Sequence, residues 1–249
     1  MRLLIAVMSF EGDATNGNHD AIRNTWGKDV AAAGATLKFF VGRRGSEFSP
    51  KADEVTIPWL QKLCPHHGWW VSKKDCCQNF WDFETREMLK WSLANGYDYT
   101  MLCENDTFCI PRLVMTCGFD KYDVSGYFTK IRDIPLGALT PDPIINDPND
   151  PTDLGEPLYL APEYGAGVFL SRKAAETFLA FPPTHWQTEY LLGQPLGPSI
   201  ADGSITAVDM DNYRGIVSWH HVTTEGKRYY HGSTWQKEMY ERYGRDSAS

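Results

Sequence analysis

An unbroken apolar run, Leu3-Leu4-Ile5-Ala6-Val7-Met8, stands near the start of the chain and narrows its possible folds more than any other feature. A strand wetted on one face alternates apolar and polar residues. A strand with no polar position is buried on both faces, as in the middle of a parallel sheet covered by helices on each side. The run is too short to cross a bilayer, and no stretch of about 18 apolar residues occurs elsewhere, so no membrane span is expected. It is also a poor secretory leader, because acidic residues follow at Glu11 and Asp13 with no clear cleavage site.

Strand and helix signals then alternate. Asp20 through Trp26 reads as a helix after the Gly/Asn-rich loop 12–18. Thr36-Leu37-Lys38-Phe39-Phe40-Val41-Gly42 reads as a second strand, and Asp53 to Ile57 as a short third. The segment 63–78 is dense in Trp, His and Cys and has no period. A helix is predicted from about Asn79 to Ala94. Trp81, Thr85, Met88, Leu89 and Ser92 lie on one stripe of it, and Asn95-Gly96 forms its stop. The strand 97–103 follows. This alternation predicts a mainly parallel α/β sheet in the first half. Residues 140–157 hold five prolines and four aspartates, which makes them a loop: a lid or binding loop, or a linker between two domains. The tail after Tyr243 is polar and expected to fray.

The formal charge of −8 and the pI of about 5.4 argue against broad electrostatic capture of nucleic acid or of an anionic membrane. The six cysteines, Cys64, Cys76, Cys77, Cys103, Cys109 and Cys117, contain no pair of Cys-x-x-Cys motifs of the zinc type. Reduced thiols in a cytoplasmic protein are the default expectation. Pairing of Cys103 with Cys109, or Cys64 with Cys76, stays open for an exported one.

The strand 97–103 runs into a small acidic knot, Glu104-Asn105-Asp106, and the chain leaves through Thr107-Phe108. Carboxylates at the carboxyl end of a strand occupy the place where an open α/β sheet holds ligands. Hard oxygen ligands there suit Mg²⁺ or Mn²⁺ holding a phosphate. The other reading is an acidic turn between strands.

Four stretches, in order, carry a resemblance. They are Ala21-Ile22-Arg23-Asn24-Thr25-Trp26-Gly27, Phe39-Phe40-Val41-Gly42, Glu104-Asn105-Asp106-Thr107-Phe108, and Tyr164-Gly165-Ala166-Gly167-Val168-Phe169-Leu170-Ser171-Arg172. Together they resemble the β1,3-glycosyltransferases that include fringe and the core 1 galactosyltransferase. The resemblance implies a GT-A fold: one domain over 1–249, with a Rossmann-like, mainly parallel central sheet, helices on both faces and a smaller acceptor-side sheet. A nucleotide-sugar-binding half spans 1–110 and an acceptor-binding and catalytic half 111–245. The resemblance also implies inverting transfer of a hexose or N-acetylhexosamine from a UDP-sugar to a hydroxyl of a glycan, glycoprotein or glycolipid, assisted by Mn²⁺ or Mg²⁺.

Carried over position by position, the resemblance makes Asp106 the metal ligand. Glu104 and Asn105 depart from the family's usual aspartates, and Glu104 is left to reach a ribose hydroxyl or a metal-bound water. The second metal ligand is a histidine in Trp219-His220-His221, with His220 the closer in register. Thr188-Glu189-Tyr190-Leu191-Leu192-Gly193 puts Glu189 at the place of the general base. Asp202 is the alternative, and Asp209 and Asp211 are held in reserve. Gly165, Ala166 and Gly167 either border the donor sugar and the acceptor or serve close strand packing. Arg23 either pairs with the diphosphate or braces the first helix, and Ser9 ends the first strand where relatives hold the uridine. Trp69, Trp70 and Trp186 either stack on sugars or belong to the core. The absence of an anchor fits a cytoplasmic enzyme of bacterial or viral type, or a lumenal domain trimmed of its anchor. Two further functions stay open: a non-catalytic sugar- or nucleotide-binding module on the same scaffold, and transfer to modified DNA bases.

Overall fold

The computed structural model describes residues 1–11, 17–43, 49–58, 80–128, 167–183, 192–210, 218–220, 237 and 239–241. The loop 140–157, the segment 63–78, Gly165, Ala166, Glu189, Asp211 and His221 lie outside them, as do Cys64 and Cys76 and the three candidate stacking tryptophans.

Nine strands are described: β1 Leu3–Phe10, β2 Ala35–Arg43, β3 Glu54–Pro58, β4 Tyr99–Glu104, β5 Thr107–Cys109, β6 Val124–Gly126, β7 Val168–Ser171, β8 Ala207–Asp209 and β9 Ser218–His220. Five α-helices accompany them: α1 Asn18–Asn24, α2 Phe80–Ala94, α3 Pro111–Thr116, α4 Arg172–Ala180 and α5 Gly193–Ala201. Seven strands form one sheet in the order β3-β2-β1-β4-β7-β6-β8, and β5 and β9 form a separate pair. β1 lies parallel to β2 and β4, and β2 parallel to β3. β7 runs antiparallel to both β4 and β6, while β8 is parallel to β6. Six strands therefore share a direction, and β7 alone opposes them. The expected mainly parallel α/β sheet is what the chain forms, and both halves of the sequence contribute strands to it.

The continuous apolar character of β1 has its predicted cause. Leu4, Ala6 and Met8 pack in one core with Met88 and Leu89 of α2 and Phe178 of α4. Leu3, Ile5 and Val7 pack in another with Ile22 of α1, Trp26 and Val114 of α3. Helices thus cover both faces, and β1 is fully enclosed from Leu4 to Val7. Gly96, with φ +75°, supplies the left-handed stop expected after α2. Ser171, at the end of β7, caps α4 by accepting the Ala174 N–H at 3.1 Å.

No helix among the described residues is long and apolar enough to cross a membrane. Cys103, Cys109 and Cys117 are free thiols, so the Cys103–Cys109 pairing considered from the sequence is not formed. Burial, reinforced by the nearby charges of Glu104 and Asp106, pushes the Cys103 thiol well above the usual range. Burial and then Cys103 do the same for Cys109.

Candidate active site

From β1 the sheet grows one way through β2 and β3, and the other way through β4. β1 and β4 are parallel neighbours, so their carboxyl ends lie side by side, at the end of the sheet where open α/β folds bind ligands. Met8 pairs with Glu104, so the acidic knot leaves β4 beside the carboxyl end of β1.

The knot itself is a two-residue turn, Asn105-Asp106, between β4 and β5. Its shape is held by the Glu104 N–H, which donates to Thr107 Oγ1 at 3.1 Å. Glu104, Asn105 and Asp106 are all half-buried, and Asp106 Oδ1 is sealed from solvent. β5 then pairs antiparallel with β9, and His220 lies directly across from Thr107. A residue more than a hundred positions downstream is thereby brought next to Asp106. This pairing could not be read from either segment alone.

Gly167 enters the same region from a third strand. β7 pairs Val168 with Leu102, so Gly167 lies one step beyond that pair, alongside the carboxyl end of β4. It is buried with φ +91°, a conformation that a residue with a Cβ adopts only under strain. Glycine is therefore required there for backbone reasons, apart from any substrate.

The fold puts three of the sequence-based candidates in settings of their own. Asp202 was the alternative base, but it sits at the opposite edge of the sheet. It caps the end of α5, before β8 begins, and its Oδ1 accepts the Ser204 N–H at 2.8 Å. The Ser204 carbonyl in turn accepts from Lys173 Nζ in the first turn of α4. That turn follows Ser171, which pairs with Tyr99 at the amino end of β4. The Ser204 hydroxyl and N–H hold the exposed Asp202 carboxyl below its usual range, which is turn chemistry. Asp209, held in reserve, ends β8 on the carboxyl edge, where its Oδ1 accepts the Phe128 N–H at 3.2 Å.

Arg23 is the second, and of its two sequence readings the brace is the one the hydrogen bonds form. Its Nε and Nη2 donate to Asp53 at 2.8 Å each, Nη2 also donates to Glu54 at 2.6 Å, and Nη1 donates to Asp20 at 2.7 Å. Burial works against the charge, but these carboxylates raise the guanidinium pKa above its ordinary value. Its surroundings are acidic, so it braces α1 against β3 and is not presented to a diphosphate. Ser9 is the third. It is completely enclosed and its Oγ lies 2.5 Å from His19 Nε2, so in this arrangement its hydroxyl faces protein and not a nucleoside.

Two residues missed in the sequence complete that network. His19 Nδ1 lies 2.9 Å from Glu54 Oε1, and the Lys51 N–H donates to Glu54 Oε2 at 2.8 Å. His19 stacks on Phe39 with ring centroids 4.2 Å apart, and the Arg23 guanidinium lies over the same ring at 4.9 Å. Burial pushes the Glu54 carboxyl up, but the hydrogen bonds from His19, Arg23 and the Lys51 N–H bring it below the usual range. The available signal was spacing: His19 and Arg23 are four apart on α1 and share a face.

The residues fit a hard divalent cation in kind. Asp106 carries a partly buried carboxylate, the backbone pairing sets a histidine position across from the next residue, and such residue types suit Mn²⁺. Among the described residues no group of three or more His, Cys, Asp or Glu side chains is placed to hold a metal ion.

No family model matches the chain, and no curated protein matches it. Among solved structures it is similar to the crystal structure of the galactosyltransferase LgtC in complex with donor and acceptor sugar analogs. The similarity has a TM-score of 0.41 and 12% sequence identity, and covers 100% of this chain and 97% of that one. A likeness so remote bears on no substrate or site residue of this chain.

Proposed function

We propose that the chain is a metal-dependent glycosyltransferase that moves a hexose or N-acetylhexosamine from a UDP-sugar to an acceptor hydroxyl with inversion. The observation that carries this reading is the β5–β9 register, which sets His220 across from Thr107, the residue after Asp106, just past the carboxyl end of β4. The ordered resemblance of the Ile22–Gly27, Glu104–Phe108 and Gly165–Arg172 stretches to the β1,3-glycosyltransferases supports it.

Asp106 and His220 would hold the cation. Bound there, Mn²⁺ or Mg²⁺ supplies Lewis-acid neutralisation of the leaving diphosphate. Glu104, the last residue of β4, would reach a ribose hydroxyl or a metal-bound water. Inversion needs one base to take the proton of the acceptor hydroxyl as its oxygen attacks the anomeric carbon and the diphosphate departs. The resemblance gives that role to Glu189.

The test is a thermal-shift panel of UDP-sugars with and without Mn²⁺, followed by a UDP-release assay. A ligand present at a hundred times its Kd stabilises by about 2.7 kcal/mol, or roughly 5–10 °C for a domain this size. The Asp106→Ala variant is expected to fold, lose the Mn²⁺-dependent part of that shift and release no UDP. An Asp106→Ala protein with undiminished turnover removes the metal assignment. Binding without turnover for every donor identifies a binding module instead.

A further inference from the structure

The buried Ser9–His19–Glu54 relay is used by no step of the proposed transfer, yet it stands at the carboxyl end of β1, beside the carboxyl end of β4. Ser9 follows Met8, whose strand partner is Glu104 of the acidic knot. His19 reaches back to it from α1, and Glu54 anchors the imidazole from the start of β3. Ser9 and His19 are 0% exposed and Glu54 8%.

We propose that His19 is a positioning residue for the nucleotide donor, acting through the carboxyl end of β1, which its link to the Ser9 side chain holds in place; the inference rests on the transferase reading above. A carboxylate only accepts hydrogen bonds, so Glu54 fixes the His19 proton on Nδ1. In the neutral imidazole Nε2 then accepts the Ser9 hydroxyl proton, and the Ser9 side chain has one orientation. Glu54 is itself held by the Arg23 guanidinium and by the Lys51 N–H. The relay thus ties the last turn of β1 to α1 and to β3 at the place where a donor must find its geometry ready-made. A buried polar network costs desolvation that apolar packing would avoid, while a fully satisfied one specifies a single arrangement. Misplacement of a binding wall by about an ångström is enough to cost one to two orders of magnitude.

The experiment separates the two ends of the imidazole. The amide of glutamine reaches the place of Nε2 and can still accept from Ser9, whereas that of asparagine reaches only the place of Nδ1. UDP affinity is measured by titration calorimetry at fixed Mn²⁺, and KM and kcat by UDP release from UDP-galactose and UDP-N-acetylglucosamine. His19→Asn and Ser9→Ala are expected to weaken UDP binding roughly tenfold and to raise KM by more than kcat falls. The double variant is expected to be no worse than either single one, because both break the same link. His19→Gln is expected to stay within about threefold of the parent. If His19→Asn and Ser9→Ala lower the melting temperature but leave UDP affinity and KM unchanged, the relay is structural and the proposal falls. Equal loss in His19→Gln and His19→Asn overturns it too. A parent protein that neither binds UDP nor releases it from these donors removes the transferase reading itself, and this inference with it.

Discussion

Gly27 closes the Ala21–Gly27 signature, and the structure shows what a single methyl group would do there. A Cβ at this position would lie 2.7 Å from the Ile22 carbonyl oxygen, 3.1 Å from its carbon and 3.0 Å from Leu37 Cδ2. Two of these three atoms are backbone. The Ile22 oxygen already accepts the Thr25 N–H at 3.1 Å and the Thr25 hydroxyl at 3.2 Å, so displacing it strains bonds that end α1. Ile22 is fully buried, which leaves the helix little room to retreat. Overpacking of a core costs about 1–3 kcal/mol, and a weakened backbone hydrogen bond adds about 1 kcal/mol. Gly27→Ala is therefore expected to destabilise by about 2–4 kcal/mol, lowering Tm by roughly 5–15 °C in a domain of this length. Gly34 is the control. A Cβ there meets nothing within 4 Å, and only its φ of +90° opposes the change, a cost of about 1–2 kcal/mol. Urea unfolding of both variants, read as a shift in midpoint at constant slope, measures the difference. A Gly27→Ala protein as stable as the parent, or more stable than Gly34→Ala, would refute the close-approach explanation of this motif.

Two predictions concern pH and thiol chemistry. Hydrogen bonds from Lys51 and Arg23 lower the Asp20 carboxyl, and those from Arg23 lower Asp53 and, with His19, Glu54, against burial in the last two. A depressed folded-state pKa contributes stability that is full above the unfolded carboxylate pKa and lost as pH falls through the folded one. The α1–β3 brace should thus weaken below about pH 4; an Arg23→Met variant is expected to show a flatter acid limb in its Tm–pH profile, and an unchanged limb contradicts this. Cys103 and Cys109 are raised by burial, so the folded protein keeps both protonated where the unfolded chain has begun to ionise. Stability should fall as pH rises above about 9, and iodoacetamide should modify neither thiol in the native state; rapid native labelling at Cys103 or Cys109, followed by peptide mass mapping, would contradict their burial.

Local sequence determined the elements and their type. The apolar run at β1, the striped helix ending in Asn95-Gly96 and the strand feeding Glu104-Asn105-Asp106 are short-range patterns, governed by burial period, capping and turn chemistry. They suffice to read a mainly parallel sheet and to put a carboxylate turn at a strand end. What those patterns do not contain is which strands lie side by side. That choice, made by packing both faces of β1 at once, put β4 and not β3 beside it, and so brought Glu104 next to the carboxyl end of β1. It also paired His220 with Thr107, and carried Asp202 to the far edge of the sheet while leaving Asp209 on the near one. The same distinction divides the signature motif. Ile22, Trp26 and Gly27 are legible as a helix packed closely on the sheet. Arg23 could be read from the sequence as a phosphate ligand or as a brace. Only the tertiary placement of Asp53 and Glu54 decided it, because a guanidinium surrounded by three carboxylates is committed to them by charge and by hydrogen-bond geometry.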